Sequence, residues 1–268
     1  MERIKAKPGL ALGVGLLACL APAQGDFSIG GTSPLDYSAT TSALLNNHIG
    51  NLSIEGVARG GGGSKSRRRG TRTTVSPMRL AVLPASDLGG LRLAPSSPAA
   101  LSYRPDPAVR AAAKETFATR MARMNPAMRP QIRKAVDSMD CFAEYAKITR
   151  EDGYRRDNVA DAIASTLIVT WIGSKGKVVP TDVAGQRVVR ARVATGLLAD
   201  PRFKSAAFRQ RLGDEMQLTT VFLAHGLAGA VHYRKGAEYG AAMARMFQEL
   251  TGSSPDSVRL TSQGFVRA

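Results

Sequence analysis

The sequence is poor in the residues on which metal and redox chemistry depend, with two cysteines and three histidines among 268 residues. Cys19 lies in an apolar stretch near the start, so a chain processed after that stretch keeps Cys141 alone and forms no intrachain disulfide. His225 and His232 are seven residues apart, which is about 10 Å along a helix, whereas the ligands of one metal ion lie about 2 Å from it. The sequence therefore predicts no metal site and no cofactor.

The sequence also lacks the motifs that define the common enzyme classes. It contains no H-E-x-x-H, C-x-x-C or G-x-S-x-G pattern, and no phosphate-binding glycine loop after a strand. Aromatic residues make up 6% of the chain, with one tryptophan, which leaves few rings for stacking on nucleic-acid bases. No stretch reaches about 18 uncharged apolar residues, so no transmembrane helix is predicted. These absences argue against a specific nucleic-acid module and identify no catalytic class.

Positive charge is what the chain has in excess. Its net charge is +16, and residues 104–268 carry 26 lysines and arginines against 16 aspartates and glutamates, a net charge of +10. A field of this sign attracts polyanions. The composition therefore favours an anionic partner, such as an envelope polymer or a lipid surface.

The first 23 residues have the composition of a secretory signal. Three basic side chains within Met1–Lys7 precede an apolar run at Gly9–Leu20, and the small residues of Ala21–Ala23 form a cleavage site. This pattern predicts an exported protein, periplasmic or extracellular, that begins at Gln24. An alternative remains, because "LLAC" at 16–19 resembles a bacterial lipobox, in which Cys19 would carry a lipid anchor in the outer envelope.

Residues 24–103 are predicted to be a low-complexity and largely disordered region. They are rich in Gly, Ser, Thr and Asn, and Gly60–Gly63 is followed by "SKSRRRG", a basic flexible linker. Such a segment buries too little apolar surface to offset the entropy lost on ordering. The sequence therefore predicts that the folded domain covers residues 104–268.

From residue 104 onward the chain carries the start and stop signals of helices. Asp106-Pro107 and Asp200-Pro201 each place an N-cap before a proline at the first helical position. The apolar periodicity predicts helices over roughly 107–124, 126–137, 139–150, 158–173, 182–198, 201–233 (with a break near Gly213) and 235–251. No long strand alternation occurs, and residues 252–268 are expected to lie across the bundle. We therefore predict an all-α bundle of about five to seven helices.

A polar cluster precedes the most apolar of these helices, in "GYRRDNVADAIASTLIVTW" at 153–171. Asn158 is predicted as the N-cap, with Asp161 completing a capping box and Asp157 facing the positive end of the helix dipole. The alternative interpretation is a site, in which Asp157, Asn158 and Asp161 hold a cation or Arg155 and Arg156 hold an anion. The capping pattern favours the structural interpretation.

Three stretches together resemble a known family. They are "LSYRPDPAVRAA" before the first helix, "RRDNVADAIASTLIVTW" in the middle and "SSPDSVRLTSQGFVRA" at the end. Over roughly residues 100–268 they are similar to a family of exported bacterial proteins known as a domain of unknown function. The resemblance implies a small, all-helical exported domain. It implies no activity, cofactor or catalytic residue.

Four basic residues are predicted to bind the anionic partner, namely Arg187, Arg190, Arg202 and Lys204. The sequence places them around one helix–helix junction, where only Asp182 and Asp200 are near enough to neutralise them. The function that follows is an exported helical binding or interaction module acting on anionic envelope polymers or lipids. The alternative is an exported hydrolase of cell-wall glycan, with Glu215 or Glu144 as the general acid.

Overall fold

The computed structural model describes residues 77–82, 92–122, 126 and 129–268, and these residues are mostly helical. The α-helices are α1 (Pro77–Val82), α2 (Pro107–Met121), α3 (Arg129–Ser138), α4 (Cys141–Ile148), α5 (Val159–Ser174), α6 (Val183–Leu198), α7 (Ala206–His232) and α8 (Gly236–Thr251). Strands β1 (Val258–Thr261) and β2 (Gly264–Arg267) form an antiparallel hairpin. The prediction of an all-α helical bundle is confirmed for the described residues. The predicted signal segment and basic linker lie outside them.

Helix α5 is the centre of the bundle, and all of its residues except Ser174 are buried. It packs against α6, α7 and α8. Its sequence leaves almost no polar face, and such a helix is stable only when it is surrounded. Its hydroxyl groups are hydrogen-bonded inside the core, since Thr166 contacts Thr220 of α7 at 2.9 Å and Ser165 contacts Tyr145 of α4 at 3.1 Å.

Helix α7 runs without interruption through the glycine at which a break was predicted. A Cβ atom on Gly213 would lie 2.7 Å from the ring of Tyr103. The glycine is therefore needed for close packing against this ring, and the predicted break is wrong. The Asp200-Pro201 signal begins a short 3-10 helix, Pro201–Lys204, and Ser205 then caps α7 itself.

Helices α2, α3 and α4 enclose a second, smaller core with one face of α7. Phe117 and Phe222 meet there, with ring centroids 5.0 Å apart. Cys141 is fully buried in this core, and burial raises the pKa of its thiol to about 11. A thiol of that acidity is almost entirely protonated at neutral pH and is a poor nucleophile.

The folded domain begins before residue 104, where the sequence placed its boundary. Met78 and Ala81 of α1 are buried in the main core, as are Leu101 and Tyr103. Helix α1 packs on α6, α8 and β2, while the segment 92–106, here called the strap, runs past the start of α5. Apolar residues on both described segments before residue 104 therefore complete the core.

The C-terminal stretch, in which no strand was predicted, forms the β-hairpin. Gly264, with φ of 81°, allows the tight turn between the strands. Phe265 is fully buried, and its ring centroid lies 5.8 Å from that of Trp171 and 5.6 Å from that of Phe247. Four residues per strand are too few for an alternation to be recognised in the sequence.

A buried arginine joins the two ends of the described chain. Arg192 of α6 is 2% exposed, and its guanidinium donates hydrogen bonds to the carbonyl oxygens of Ala81 (3.3 Å), Phe265 (3.1 Å) and Gln263 (3.1 Å). Burial lowers the pKa of this guanidinium. The contacts fix α1 and the hairpin onto the same helix.

Candidate binding site

Asn158 caps α5 as predicted, and it also holds the strap. Its side-chain oxygen accepts hydrogen bonds from the backbone N–H groups of Ala160 (3.0 Å) and Asp161 (3.4 Å). Its side-chain nitrogen donates to the carbonyl oxygen of Pro98 (3.0 Å) and to Ser102 Oγ (3.1 Å). One side chain thus forms hydrogen bonds both with the first backbone N–H groups of the helix and with a segment about 60 residues away in sequence.

Asp161 is fully buried and is the second group that holds the strap. Its carboxylate accepts hydrogen bonds from Ser97 Oγ (2.7 Å) and from the backbone N–H of Arg155 (2.8 Å). The nearest guanidinium nitrogen of Arg190 lies 3.9 Å away. Burial raises the pKa of Asp161, and the hydrogen bonds from Arg155 and Ser97 oppose that shift. The Asp161 carboxylate therefore has all of these partners within the folded domain.

Asp157 does not join Asn158 and Asp161 in a cation site. It forms an ion pair with Arg155 at 3.2 Å, at the surface. Within the part of the chain that the structure describes, no group of three or more His, Cys, Asp or Glu side chains is arranged to hold a metal ion. The polar cluster that precedes α5 is accounted for by capping and by attachment of the strap.

The structure separates the four basic residues that the sequence placed in one patch. Arg187 is exposed on α6, whereas Arg190 is 3% exposed and faces the core. Arg202 and Lys204 lie in the 3-10 helix that follows α6, and Arg202 forms an ion pair with Asp200. Arg187 is 11 residues from the end of α6, or about 16 Å along the helix. The four residues therefore form no single patch.

A buried polar group surrounds Arg190 and was not found by sequence reasoning. We call Asp152, Tyr154, Gln186 and Arg190 the turn cluster. Gln186 Nε2 donates to Asp152 Oδ1 at 2.8 Å, and an Arg190 nitrogen donates to the carbonyl oxygen of Gly153 at 2.9 Å. The Arg190 guanidinium stacks on the Tyr154 ring, 4.5 Å from its centroid. The cluster ties the turn before α5 to the first half of α6.

A signal for this cluster was present in the helix pattern. Val189, Val193 and Leu197 form the buried stripe of α6, and Gln186 and Arg190 fall on the same stripe at helical spacing. A polar residue on an apolar stripe indicates a buried partner more often than a solvated charge, because unpaired burial is unfavourable. The partners themselves, Asp152 and Tyr154, lie outside any periodic segment.

Asp152 should make folding dependent on pH. Burial raises its pKa from an ordinary 3.8 to about 6, so the folded protein holds this proton more tightly than the unfolded chain. Stability is therefore lost as the pH rises from about 4 to about 6 and does not change further above that range. We expect Asp152→Asn to raise the free energy of unfolding at pH 7.5 by roughly 3 kcal/mol relative to wild type.

Urea unfolding at pH 4, 5, 6 and 7.5 measures this difference. At pH 4 the variant and the wild type should be equally stable to within about 1 kcal/mol, since both side chains are then neutral. A difference that stays constant across the four pH values would contradict the assignment of the titration to Asp152.

A second buried network holds the other end of the strap. The Tyr103 hydroxyl donates to the carbonyl oxygen of Arg156 (3.1 Å) and lies 3.2 Å from an oxygen of Asp214. Gln217 Nε2 donates to the Tyr103 oxygen (2.8 Å) and to the Arg156 carbonyl (2.7 Å). Burial raises the pKa of Asp214, which is fully buried. Hydrogen bonds from α7 and from the strap thus fix the backbone of the Arg155–Arg156 segment.

Basic residues on the segments joined by these networks form what we call the basic face. Arg104, Arg156, Lys204 and Arg211 are exposed, and Arg202 and Arg209 are half-buried. Ser102 and Asn158 form an isolated antiparallel bridge, and Arg104 and Arg156 each lie two residues from it in the sequence. Both residues are exposed. The strap and the turn before α5 therefore each contribute one exposed arginine close to the point where the two segments meet.

The 3-10 helix and the start of α7 supply the remaining basic residues of this face. Arg209 Nε donates to the carbonyl oxygen of Ser102 at 3.0 Å, and its terminal nitrogen donates to that of Phe203 at 2.7 Å. The guanidinium carbons of Arg202 and Arg211 each lie 5.7 Å from the centroid of the Phe208 ring. These contacts bring the 3-10 helix and α7 against the strap.

The carboxylates considered for a hydrolase are engaged within the domain. Glu215 is 2% exposed and forms an ion pair with Arg120 of α2. Glu144 lies 3.7 Å from Lys147 and 3.5 Å from His225. Asp161 and Glu215 therefore do not converge on a shared cleft, since one holds the strap and the other joins α7 to α2.

These features define a class: an α-helical domain with a C-terminal hairpin, a strap held by buried polar side chains, and a basic face. The chain belongs to a family of unknown function, DUF6683, whose model matches residues 62–267. This match confirms the resemblance to a domain-of-unknown-function family and begins well before the predicted boundary at 104. Neither the curated proteins nor the solved structures include a match to this chain. Over the described residues, no helix has both the length and the apolar composition needed to cross a membrane.

Proposed function

We propose that this protein is an exported binding module that recognises anionic polymers or lipid head groups of the cell envelope through the basic face. The observation that carries the proposal is the construction of this face. Four separate segments, the strap, the turn before α5, the 3-10 helix and the start of α7, each contribute basic side chains, and hydrogen bonds to backbone carbonyls fix the segments together.

The local charge balance supports this function. The basic face has six positive side chains, while the acidic residues on the same segments are Asp106, Glu151, Asp152, Asp157 and Asp200, of which Asp152 is buried in the turn cluster. Asp200 is paired with Arg202, and Asp106 caps α2. Because buried networks hold the backbone beneath the face, little ordering is needed when an anion binds, and such preorganisation favours affinity.

The proposal that the protein is exported rests on the composition of its first 23 residues and is tested separately. If Met1–Ala23 is a cleaved signal, protein recovered from the periplasm or the medium of an expressing bacterium should begin at Gln24. Intact-mass spectrometry measures this directly. A mass that includes Met1 would contradict export by cleavage, and a diacylglyceryl group on Cys19 would replace plain cleavage with a lipid anchor.

The binding half predicts a steep dependence on salt. Replacing Arg104 and Arg156 together with glutamate should weaken binding to heparin, to single-stranded DNA as a probe polyanion and to anionic vesicles by at least about tenfold at low salt. For single-stranded DNA, the slope of log affinity against log salt should fall by roughly 0.7 for each phosphate that the variant no longer neutralises. Fluorescence anisotropy and vesicle co-sedimentation over a salt series measure these changes. Comparing the affinity for vesicles with the affinity for the polymers identifies the partner class.

The matched control changes the same charge elsewhere on the surface. Lys134 on α3 and Arg245 on α8 are exposed, and replacing both with glutamate should leave the affinity within about twofold of wild type. Each surface substitution should alter stability by no more than about 0.5 kcal/mol. Equal losses from the two double variants would show that net charge alone drives binding, and binding that is insensitive to salt would exclude an electrostatic face.

A further inference from the structure

The turn cluster contains four buried polar atoms that the described protein groups leave without a hydrogen-bond partner. They are Asp152 Oδ2, Gln186 Oε1, Arg190 Nε and the Tyr154 hydroxyl. The four residues are 1%, 0%, 3% and 8% exposed, respectively. Buried polar atoms of native proteins are nearly always hydrogen-bonded, either to protein groups or to ordered water. Four such atoms within one cluster indicate a common partner.

The contacts of the cluster place these atoms along one interface. Gln186 and Arg190 are one helical turn apart and therefore lie on the same face of α6. Asp152 and Tyr154 flank Gly153, whose φ of 68° turns the backbone so that both side chains face α6. The bond from Gln186 to Asp152 and the stacking of Arg190 on Tyr154 then join the two sides.

The chemistry of the four atoms matches a single water molecule. Two of them are acceptors, the carboxylate and amide oxygens, and two can donate, the guanidinium N–H and the phenol. A water molecule donates two hydrogen bonds and accepts two. We propose that the turn cluster is an internal hydration site, in which one ordered water bridges α6 to the turn at 152–154.

The charges of the cluster favour water over an ion. A cation at this position would lie against the guanidinium of Arg190, and an anion would lie against the carboxylate of Asp152. A neutral molecule meets neither repulsion, and a buried water usually makes about three hydrogen bonds to polar groups of this kind. The site is independent of the basic face, although the turn that it fixes leads directly into Arg155 and Arg156.

Water-selective nuclear Overhauser spectroscopy on the full mature chain tests the proposal. A long-lived water in the cluster should give a cross peak to the side-chain amide of Gln186. The matched control is the side-chain amide of Gln210, which is 2% exposed. Its oxygen accepts from the backbone N–H of Asp106 at 3.0 Å, and its nitrogen donates to the Asp106 carbonyl at 2.8 Å. We expect a peak for Gln186 and none for Gln210, and no peak for Gln186 would overturn the proposal.

Two further measurements separate water from its alternatives. In Tyr154→Phe the cross peak should persist, because the water keeps three partners, whereas its loss would mean that exchange with the phenol had produced it. A crystal structure at pH 8 and high resolution should show a water within about 3.2 Å of Asp152 Oδ2 and Gln186 Oε1. Direct contact between those two oxygens through a carboxylic acid proton, or a site without water, would overturn the proposal.

Discussion

Replacing Arg192 with methionine should lower the free energy of unfolding by about 5 kcal/mol. The guanidinium is buried and donates to three carbonyl oxygens, on Ala81, Gln263 and Phe265. Methionine has similar length but no donor, so the carbonyls of Ala81 and Phe265, whose hydrogen bonds are buried, and that of Gln263, whose bond is half-buried, would lose this partner. The loss is roughly 1–3 kcal/mol for each buried carbonyl. The loss should be accompanied by detachment of α1 and the hairpin, which hydrogen exchange resolves by segment.

Arg187 provides the control for this substitution. It lies on the same helix but is exposed, so Arg187→Met should change the free energy of unfolding by no more than about 0.5 kcal/mol. Urea denaturation of both variants at pH 7 gives the comparison. Losses that agree within about 1 kcal/mol would mean that the buried carbonyls do not depend on Arg192.

Removing the other buried arginine should have an effect that depends on pH. Arg190→Met leaves Asp161, whose carboxylate lies 3.9 Å from the guanidinium, and Asp152 without a buried positive charge. Breaking such a pair on one side costs about 4 kcal/mol at pH 7.5. Burial already raises the pKa of both carboxyls, and loss of the arginine raises it further. The variant should therefore lose stability as the pH rises through the range in which these groups ionise.

Urea unfolding at pH 4.5 and 7.5 measures this effect. The deficit of Arg190→Met relative to wild type should be smaller at pH 4.5, where protonation removes part of the uncompensated negative charge. Adding Asp161→Asn to Arg190→Met should recover part of the loss at pH 7.5, since neighbouring groups couple in a double-mutant cycle. A deficit that is equal at both pH values would mean that stacking on Tyr154 and the bond to Gly153 account for the whole loss.

Local chemistry made the helices predictable. Asp106 and Asn158 were expected as caps, and each accepts backbone hydrogen bonds at the start of its helix. The apolar density of 159–173 predicted the central helix of the bundle. These features depend on residues that are close in sequence, and a single chain contains all the information that they need.

The strap was not predictable in the same way. Its composition, rich in proline and serine, is also that of a disordered linker, and it has no helical or strand periodicity. The strap is ordered by single hydrogen bonds that Asn158 and Gln217 donate to it and that Asp161 accepts from it. Contacts between isolated residues so distant in sequence leave no local pattern.

The basic residues show a related limit. Arg187 and Arg190 are three positions apart, yet one faces solvent and the other faces the core. Counting charges along α6 treated them as equivalent, although the position of each relative to the apolar stripe distinguishes them. The basic face was not predicted because Arg104, Arg156 and Arg211 lie on segments that only tertiary contacts join.

The position of the strap in the chain also determines when folding can be completed. Ser97 and Asp161 are 64 residues apart, and Tyr103 is 111 and 114 residues before Asp214 and Gln217. A chain that emerges amino terminus first, from a ribosome or a secretion channel, therefore exposes the strap long before α7 follows. Contacts over such separations form only after the entropy of closing a long loop has been overcome. We therefore expect strap docking to be the last step of folding. A polar, proline-rich segment can stay solvated without aggregating until then.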